Sequence, residues 1–436
     1  MKADLRDGGT RAITIAGPSK ASDRASIRRT NLGLILRLLR DSGPRSRTRI
    51  AADTGLPKPT ITNLISELAE LGLVREAQEE RSGAVGRPGL LVEIDGQGFC
   101  GIGVEVSVGY LSTVALTLRG DTVYQHRVAL DVGAAGPEAV LDRAAHLVRE
   151  ALRAIGAVGA RCVGVTLAAT GVVDPAEGTV TYAPSIAWSD IAVVAGLRHR
   201  LGAGTPPLSL ENDAKLGAIA EYLLVQDQDI HDMLYITGAA GIGGGIISGG
   251  RLLRGSTGYA GEIGHMPLRP DGHPCACGRN GCWETMVGMT ALLRQAADPS
   301  DSIHNPSLDL ETRLAEVDRR AAAGDARTLR ALEHVADDLA LGLALLIDVL
   351  NPRAVVLGGY FAHLGEHLLT RVQAGVRKRV MAPNAGGCEI LLSTLGFTAP
   401  ARGAAYLALD QVYQDPSGFD AGGGRTTHRP HSGEPL

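Results

Sequence analysis

The chain has 436 residues, 44% hydrophobic but only 3% aromatic, enough for two or three domains with cores of Ala, Val, Leu and Ile. No apolar run approaches the ~20 residues of a membrane span, and the charged N-terminus lacks an apolar signal region. Both argue against a membrane or secreted role and for a reducing cytoplasm, where clustered cysteines serve metals more often than disulfides. The formal net charge of −4 hides an asymmetry: residues 1–95 carry 16 basic and 12 acidic side chains, and the remainder 27 and 35. A basic module on an acidic body points to nucleic acid at one end.

Residues 1–25 show no apolar period and read as a disordered arm. From Asn31 the pattern turns helical, with Leu32, Ile35, Leu36, Leu38 and Leu39 on one face, and Asp41-Ser-Gly-Pro44 stops it. Ser46 suits the N-cap of a short second helix through Asp53. After the Thr54-Gly55-Leu56 turn, Pro57 opens a third helix with Ile61, Leu64, Ile65, Leu68 and Leu71 at helical spacing. Two helices joined by a Gly-containing turn form a helix-turn-helix. Two short strands follow, Leu73–Arg75 and Leu90–Val92, with the glycine-rich Ser82–Gly89 between them as a wing. Residues 26–95 therefore read as a winged helix-turn-helix. In such a module the N-terminal residues of the second motif helix meet the base edges. Lys58, Thr60, Thr62 and Asn63 are the polar candidates there. Ser46, Arg47 and Arg49 sit where phosphate contacts are expected, and Arg87 on the wing suits a narrow minor groove.

From about residue 96 the texture becomes α/β. Gly101–Val106 reads as a buried strand, and Leu111–Leu118 and Thr122–Leu130 continue a meander. An amphipathic helix spans Pro137–Ile155, and Cys162–Leu167 is a strand ending at Ala168-Ala-Thr-Gly171. Leu208–Glu211 is a strand running into Asn212-Asp213, which starts a helix through Leu224. Leu234–Thr237 leads into the glycine-rich Gly238–Gly245 and another strand. Thr290–Ala297 and Arg327–Leu350 read as helices, and Ala354–Gly359 as a strand with a glycine turn. The body runs to residue 414, and residues 415–436, rich in Gly, Ser and Pro, read as a disordered tail. Strands alternating with helices, with polar residues at strand ends, describe a two-lobed body with a ligand cleft between the lobes.

The densest chemistry lies between Glu262 and Glu284. Cys275, Cys277 and Cys282 stand among glycines with His265 and His273 nearby. Thiolates and an imidazole suit a closed tetrahedral Zn²⁺ site of structural type. Spacing leaves the fourth ligand open between the two histidines. Asn212 and Asp213 are both good helix caps, so capping alone accounts for them as readily as ligand binding.

Four segments together, Ala-Thr-Gly171-Val-Val-Asp174, Glu211-Asn-Asp-Ala214, Glu262-Ile-Gly-His265 and Cys-x-Cys-Gly-x-x-Gly-Cys-x-Glu284, resemble the ROK family of repressors and sugar kinases over roughly residues 30–410. With an N-terminal winged helix, the chain is similar to that family's sugar-responsive regulators. The resemblance implies a two-lobed, actin-like ATPase body and selects His265 as the fourth metal ligand. It also implies that Asn212, Asp213, Glu262, His265 and Glu284 bind sugar hydroxyls, Asp213 being the catalytic base in family kinases. Ala183–Trp188 resembles the sugar-covering loop, with Ser185 where Asn is usual. The kinase phosphate turn is expected to be degenerate here, since Glu105-Val-Ser-Val-Gly-Tyr110 lacks the family's Asp-x-Gly-x-Thr pattern and Ala240 replaces the usual Thr of the second turn. No catalytic residue is therefore expected, Asp213 being a vestigial base. The expected role is a non-enzymatic regulator, more a repressor than an activator. Its partners would be operator DNA and a sugar or sugar phosphate, and its state a homodimer or homotetramer. The alternatives are a bifunctional sugar kinase with a DNA-binding domain, and a DNA-binding protein with a purely structural body.

Overall fold

In the computed structural model, which describes residues 24–78, 90–225, 230–305, 308–382 and 387–419, the first helix α1 (Arg24–Ser42) begins inside the expected arm. Its buried face is Leu32, Gly33, Ile35, Leu36 and Leu39, while Leu38 is only half-buried. Strand β1 (Arg45–Ser46) follows, then α2 (Arg47–Thr54) and α3 (Lys58–Glu70). The Ser46 hydroxyl caps α2 by accepting from the Arg49 N–H, and Gly55 ends it in the left-handed region (φ 71°). Strands β2 (Val74–Gln78) and β3 (Leu90–Ile94) join β1 in a three-stranded sheet of order β1-β3-β2. The whole expected wing, Ser82–Gly89 with Arg87, lies outside the described residues.

The body contains two five-stranded sheets wired alike. In the first lobe β4 (Phe99–Val106), β5 (Tyr110–Thr117) and β6 (Thr122–Ala129) form an antiparallel meander. Helix α4 (Val132–Ala157) returns the chain, kinked at Gly136 just before Pro137. Strand β7 (Arg161–Ala169) lies parallel to β4. The small sheet β8 (Val172–Asp174), β9 (Thr179–Ala183) and β10 (Trp188–Ile191) and helix α5 (Val193–Leu201) precede β11 (Leu208–Asn212), parallel to β7. Helix α6 (Asp213–Val225) leaves the lobe.

The second lobe repeats the plan. Strands β12 (Met233–Gly238), β13 (Ile242–Ser248) and β14 (Arg251–Leu252) form the meander. The cysteine-bearing loop after β14 leads into short α7 (Glu284–Val287), α8 (Met289–Ala296), α9 (Leu310–Ala322) and α10 (Ala326–Leu350). Strand β15 (Ala354–Gly359) lies parallel to β12. After α11 (Tyr360–His363) and α12 (Gly365–Arg377), β16 (Glu389–Leu392) completes the sheet, and α13 (Ala399–Gln414) ends the body. The sheet orders are β6-β5-β4-β7-β11 and β14-β13-β12-β15-β16.

Each sheet is followed by a helix that packs on the other lobe. Helix α6 lies on β12 and β13, α13 lies on β4, β5 and β7, and the two helices pack together. This exchange explains why α13 was not anticipated: Ala399, Ala401, Gly403, Ala404, Ala405 and Ala408 are all buried, so no clear polar stripe marks it. The core behind the winged helix is continuous with the body. It runs from Leu32, Ile35 and Ile65 through Phe99 and Val114 to Ala405, Leu409 and Tyr413 of α13. Two further cores fill the lobes. The first residues of the expected tail are packed: Phe419 stands edge-on to Phe99 at 6.0 Å.

The glycine-rich turn is shorter than expected. Gly243, Gly244 and Gly245 belong to β13, not to the turn. Helix α6 presses on that strand, and a Cβ at Gly243 or Gly245 would stand 2.7 or 2.4 Å from the Cβ of Ala214 or Ala218. Among the described residues no helix is long and apolar enough to cross a membrane.

Candidate functional site

A cavity of about 100 Å³ lies where the two sheets face each other. Strand ends of both lobes supply its wall. Asn212 and Asp213 stand at the β11–α6 junction, Ser107 and Val108 at the β4–β5 turn, and Thr170 and Gly171 after β7. The second lobe adds Ala239–Gly241 between β12 and β13, with Glu262, His265 and Glu284 from the metal loop. Thus Asn212, Asp213, Glu262, His265 and Glu284, scattered over 73 positions of sequence from 212 to 284, line one cavity. Ser185 lines it too. Sequence reasoning missed Ser107, Thr170 and Ala276 as lining residues although each stands inside a motif it singled out, Glu105–Tyr110, Ala168–Gly171 and Cys275–Cys277; the tertiary geometry brings them to the cavity.

Asn212 is both cap and wall. Its Oδ1 accepts from the Lys215 N–H at 3.0 Å and its Nδ2 donates to the Gly171 carbonyl at 3.0 Å. One Asp213 oxygen accepts from the Ala214 N–H at 2.7 Å. Burial pushes the Asp213 carboxyl up to about 7 despite that bond, and the charge of Glu262 adds to the effect. Burial raises Glu262 as well; Lys215 and His265 oppose the rise and Glu284 adds to it. Behind this wall Glu105 is 2% exposed. The Tyr110 hydroxyl donates to its Oε1 at 2.8 Å, while its Oε2 is buried without a hydrogen-bond partner. Burial pushes Glu105 up to about 8, with Asp213 adding and the Tyr110 bond opposing. The Asp213 and Glu262 carboxyls line the cavity and are poised to accept or donate hydrogen bonds to a polyhydroxyl ligand, whereas Glu105 is enclosed behind it.

Beside the cavity, one donor atom each from His265, Cys275, Cys277 and Cys282 lie within 4.8 Å of one another. Cys275 Sγ is 3.5 Å from His265 Nδ1, and Cys277 Sγ is 3.7 Å from Cys282 Sγ. A tetrahedral ion with metal–sulfur bonds of about 2.3 Å has donor edges of roughly 3.7 Å, so the cluster fits one metal ion. Burial opposes a Cys277 thiolate, but the side-chain and backbone N–H groups of Arg279 and the neighbouring thiols outweigh it and bring Cys277 to about 6. His273 is exposed and outside the cluster, so the described geometry assembles His265. Cys275 Sγ also donates to Glu284 Oε1 at 2.8 Å, which ties the cluster to the cavity wall. Glu262 precedes a 3₁₀ turn, Ile263–His265, that ends in His265; residues three apart eclipse in such a turn. The loop is anchored by Trp283, fully buried, whose indole N–H donates to the Asp338 carbonyl at 2.9 Å.

On the N-terminal module Lys58, Thr62 and Asn63 are exposed on α3, and Thr60 is half-buried. The Thr62 hydroxyl donates to the Lys58 carbonyl at 3.1 Å. Arg47 and Arg49 are engaged within the module: Arg47 contacts Glu76 at 2.7 Å, and Arg49 contacts Asp53 at 3.0 Å. Arg45, which sequence reasoning passed over, shares Asp53 at 2.9 Å. The module meets the body through α1 and α13. Arg37 Nη1 donates to the Tyr413 carbonyl at 2.8 Å, Arg40 stacks over the Tyr413 ring at 4.8 Å, and a Cβ at Gly33 would stand 2.3 Å from that carbonyl oxygen.

Comparison with known proteins bears on both halves. The ROK family profile matches residues 101–411, and that of the IclR helix-turn-helix domain residues 31–78. The chain is 26% identical over 389 residues to the xylose repressor of Bacillus subtilis, covering 89% of this chain and 97% of that one. It is 32% identical over 257 residues to a glucokinase of Halalkalibacterium halodurans, covering 57% of this chain and 77% of the other. A solved ROK family transcriptional regulator, described as a homologue of the E. coli MLC protein, superposes with a TM-score of 0.69 at 23% identity, over 89% of this chain and 97% of that one. The two-lobed body behind an IclR-type helix-turn-helix places this chain in the ROK family.

Proposed function

We propose that this chain is a sugar-responsive, DNA-binding transcriptional repressor. The body holds a sugar in the interlobe cavity, and the winged helix reads an operator. The observation that carries the reading is the junction of a hydroxyl-binding cavity and a helix-turn-helix through one helix pair. Asp213 begins α6, α6 packs on α13, and α13 packs on α1. Closure of the lobes on a ligand is thereby linked to the placement of the DNA-binding module, a coupling free energy between two sites. Asn212, Asp213, Glu262, His265 and Glu284 are the ligand contacts in this reading. Lys58, Thr60, Thr62 and Asn63 face bases, and Arg47, Arg49 and Arg87 face phosphate and minor groove. Two copies on a two-fold axis would match a pseudopalindromic operator. The test is operator binding by the full chain with and without each sugar of a panel; identical affinity throughout would overturn the reading.

Zn²⁺ is the metal we assign to the cluster, as a structural ion. When bound it fixes the loop that carries Glu262 and Glu284; the chain's residues do the rest, by orienting these carboxylates toward hydroxyls. The kinase alternative is disfavoured by Glu105. Its side chain is enclosed under Tyr110, not turned to the cavity, and is poorly placed to manage a magnesium–phosphate complex. Sugar-dependent ADP release at enzymatic rates, abolished by Asp213→Asn, would reverse that assignment.

A further inference from the structure

The cavity offers carboxyls but no cation. Asp213, Glu262 and Glu284 line it, and among its described lining residues there is no lysine or arginine. We propose that the effector is an uncharged monosaccharide, and that sugars bearing a phosphate are excluded. This rests on the reading of the cavity as the sugar site.

Three observations carry it. First, the basic side chains around the cavity are turned to other partners. Lys215 Nζ donates to the Gly258 carbonyl, and Arg254 pairs with the buried Glu211 at 2.9 Å. Arg127, from the first lobe, reaches Asp309 and Glu311 of the second at 3.4 and 3.0 Å. Second, backbone donors at three points of the cavity wall are already in use. The first amides of α6 are bonded by the side chains of Asp213 and Asn212 themselves, so the helix N-terminus already holds its own carboxylate. In the flanking turns the Ser107 N–H donates to the Tyr110 carbonyl and the Ala239 N–H to the Gly241 carbonyl, both at 3.0 Å. Third, the cavity is compact: its volume of about 100 Å³ is below the roughly 300 Å³ at which drug-sized ligand sites begin, which favours the smaller of two ligands that differ by a phosphoryl group. A phosphate dianion placed here would meet like charge in a partly desolvated site, with the neutral hydroxyls of Ser107, Thr170, Ser185 and Thr237 but no lysine or arginine to replace its water.

The experiment is calorimetric titration of the full chain with D-xylose, D-glucose and N-acetylglucosamine, each beside its phosphate ester. The expected result is that at least one free sugar binds and its ester binds at least tenfold more weakly. In Asp213→Asn, both ligands weaken but the ratio between them narrows, because one like charge is gone. An ester that binds as tightly as its parent overturns the exclusion and leaves the sugar reading standing. A preserved binding gap that Asp213→Asn and Glu262→Gln both leave unchanged overturns the electrostatic cause. Binding of neither form of any sugar removes the sugar reading and this inference together.

Discussion

The N-terminal module and the interlobe cavity handle charge in opposite ways. On the module, Arg47 and Arg49 pair with Glu76 and Asp53 near the surface, while the more covered Arg45 shares Asp53. Such pairs contribute about 0–1 kcal/mol each and are easily exchanged. In the cavity, Asp213, Glu262 and Glu105 are carboxyls that burial holds above their ordinary range, and no cation pairs with them at close range among the described contacts. The module can trade an acid for a phosphate at little cost. The cavity keeps a cost outstanding that a ligand's hydroxyls can offset. One end is built for exchange, the other for selection.

The largest expected effect is at the metal loop, where the cavity depends on a cluster of a different kind. Cys277→Ser should lower bound zinc, measured by elemental analysis, and abolish the sugar response of operator binding. Unchanged regulation without metal would break the link between loop and cavity. Next is the contact joining the two regions. A Cβ at Gly33 meets backbone, not a flexible side-chain end, so Gly33→Val should destabilise the protein by about 1–3 kcal/mol. Denaturant melts measure this, and operator titrations should show a weakened sugar effect. A variant that is fully stable and fully responsive would show that the α1–α13 contact is dispensable.

Titration sharpens the comparison further. The folded Asp213 carboxyl sits near 7 and the unfolded one near its ordinary 3.8. Between those values the folded state holds a proton that the unfolded state releases, so this group's contribution falls as pH rises from about 4 to about 7 and stays lost above. Asp213→Asn removes the ionisation. It should raise the melting temperature at pH 8 more than at pH 4, whereas an equal shift at both would deny the cavity its strained carboxyl. The smallest stability effect belongs to the surface arginines. Arg47→Ala should change stability by less than about 1 kcal/mol. It should still weaken operator binding and flatten the salt dependence by roughly 0.9 in log–log slope, if the side chain leaves Glu76 for a phosphate.

Legibility followed the same divide. The helices of the module could be read residue by residue because each is local: Ser46 caps within three residues, Gly55 ends α2, and the apolar face of α3 repeats at helical spacing. The salt bridges of Arg47 to Glu76 and Arg45 to Asp53 could not, since a helix or strand pattern does not state which acid lies opposite. In the body, β4, β7, β12 and β15 were recognisable as apolar runs ending in polar or glycine residues. Helix α13 was not, because it is buried between a sheet and α6, and periodicity vanishes when most faces are covered.

By itself the sequence determined which residue types are present for the chemistry: three cysteines with two candidate histidines at metal-ligand spacing, carboxylates near strand and helix ends, and a basic helix-turn-helix. These are short-range facts, set by local conformation and by what each side chain can bind. The family resemblance named His265 and the residues Asp213, Glu262 and Glu284, but only the tertiary structure decided how they are placed, around one cavity and beside three thiols, and that α13 links cavity to module. The shared cavity and the α13 link depend on two sheets exchanging their last helices, a long-range packing choice that no local pattern records.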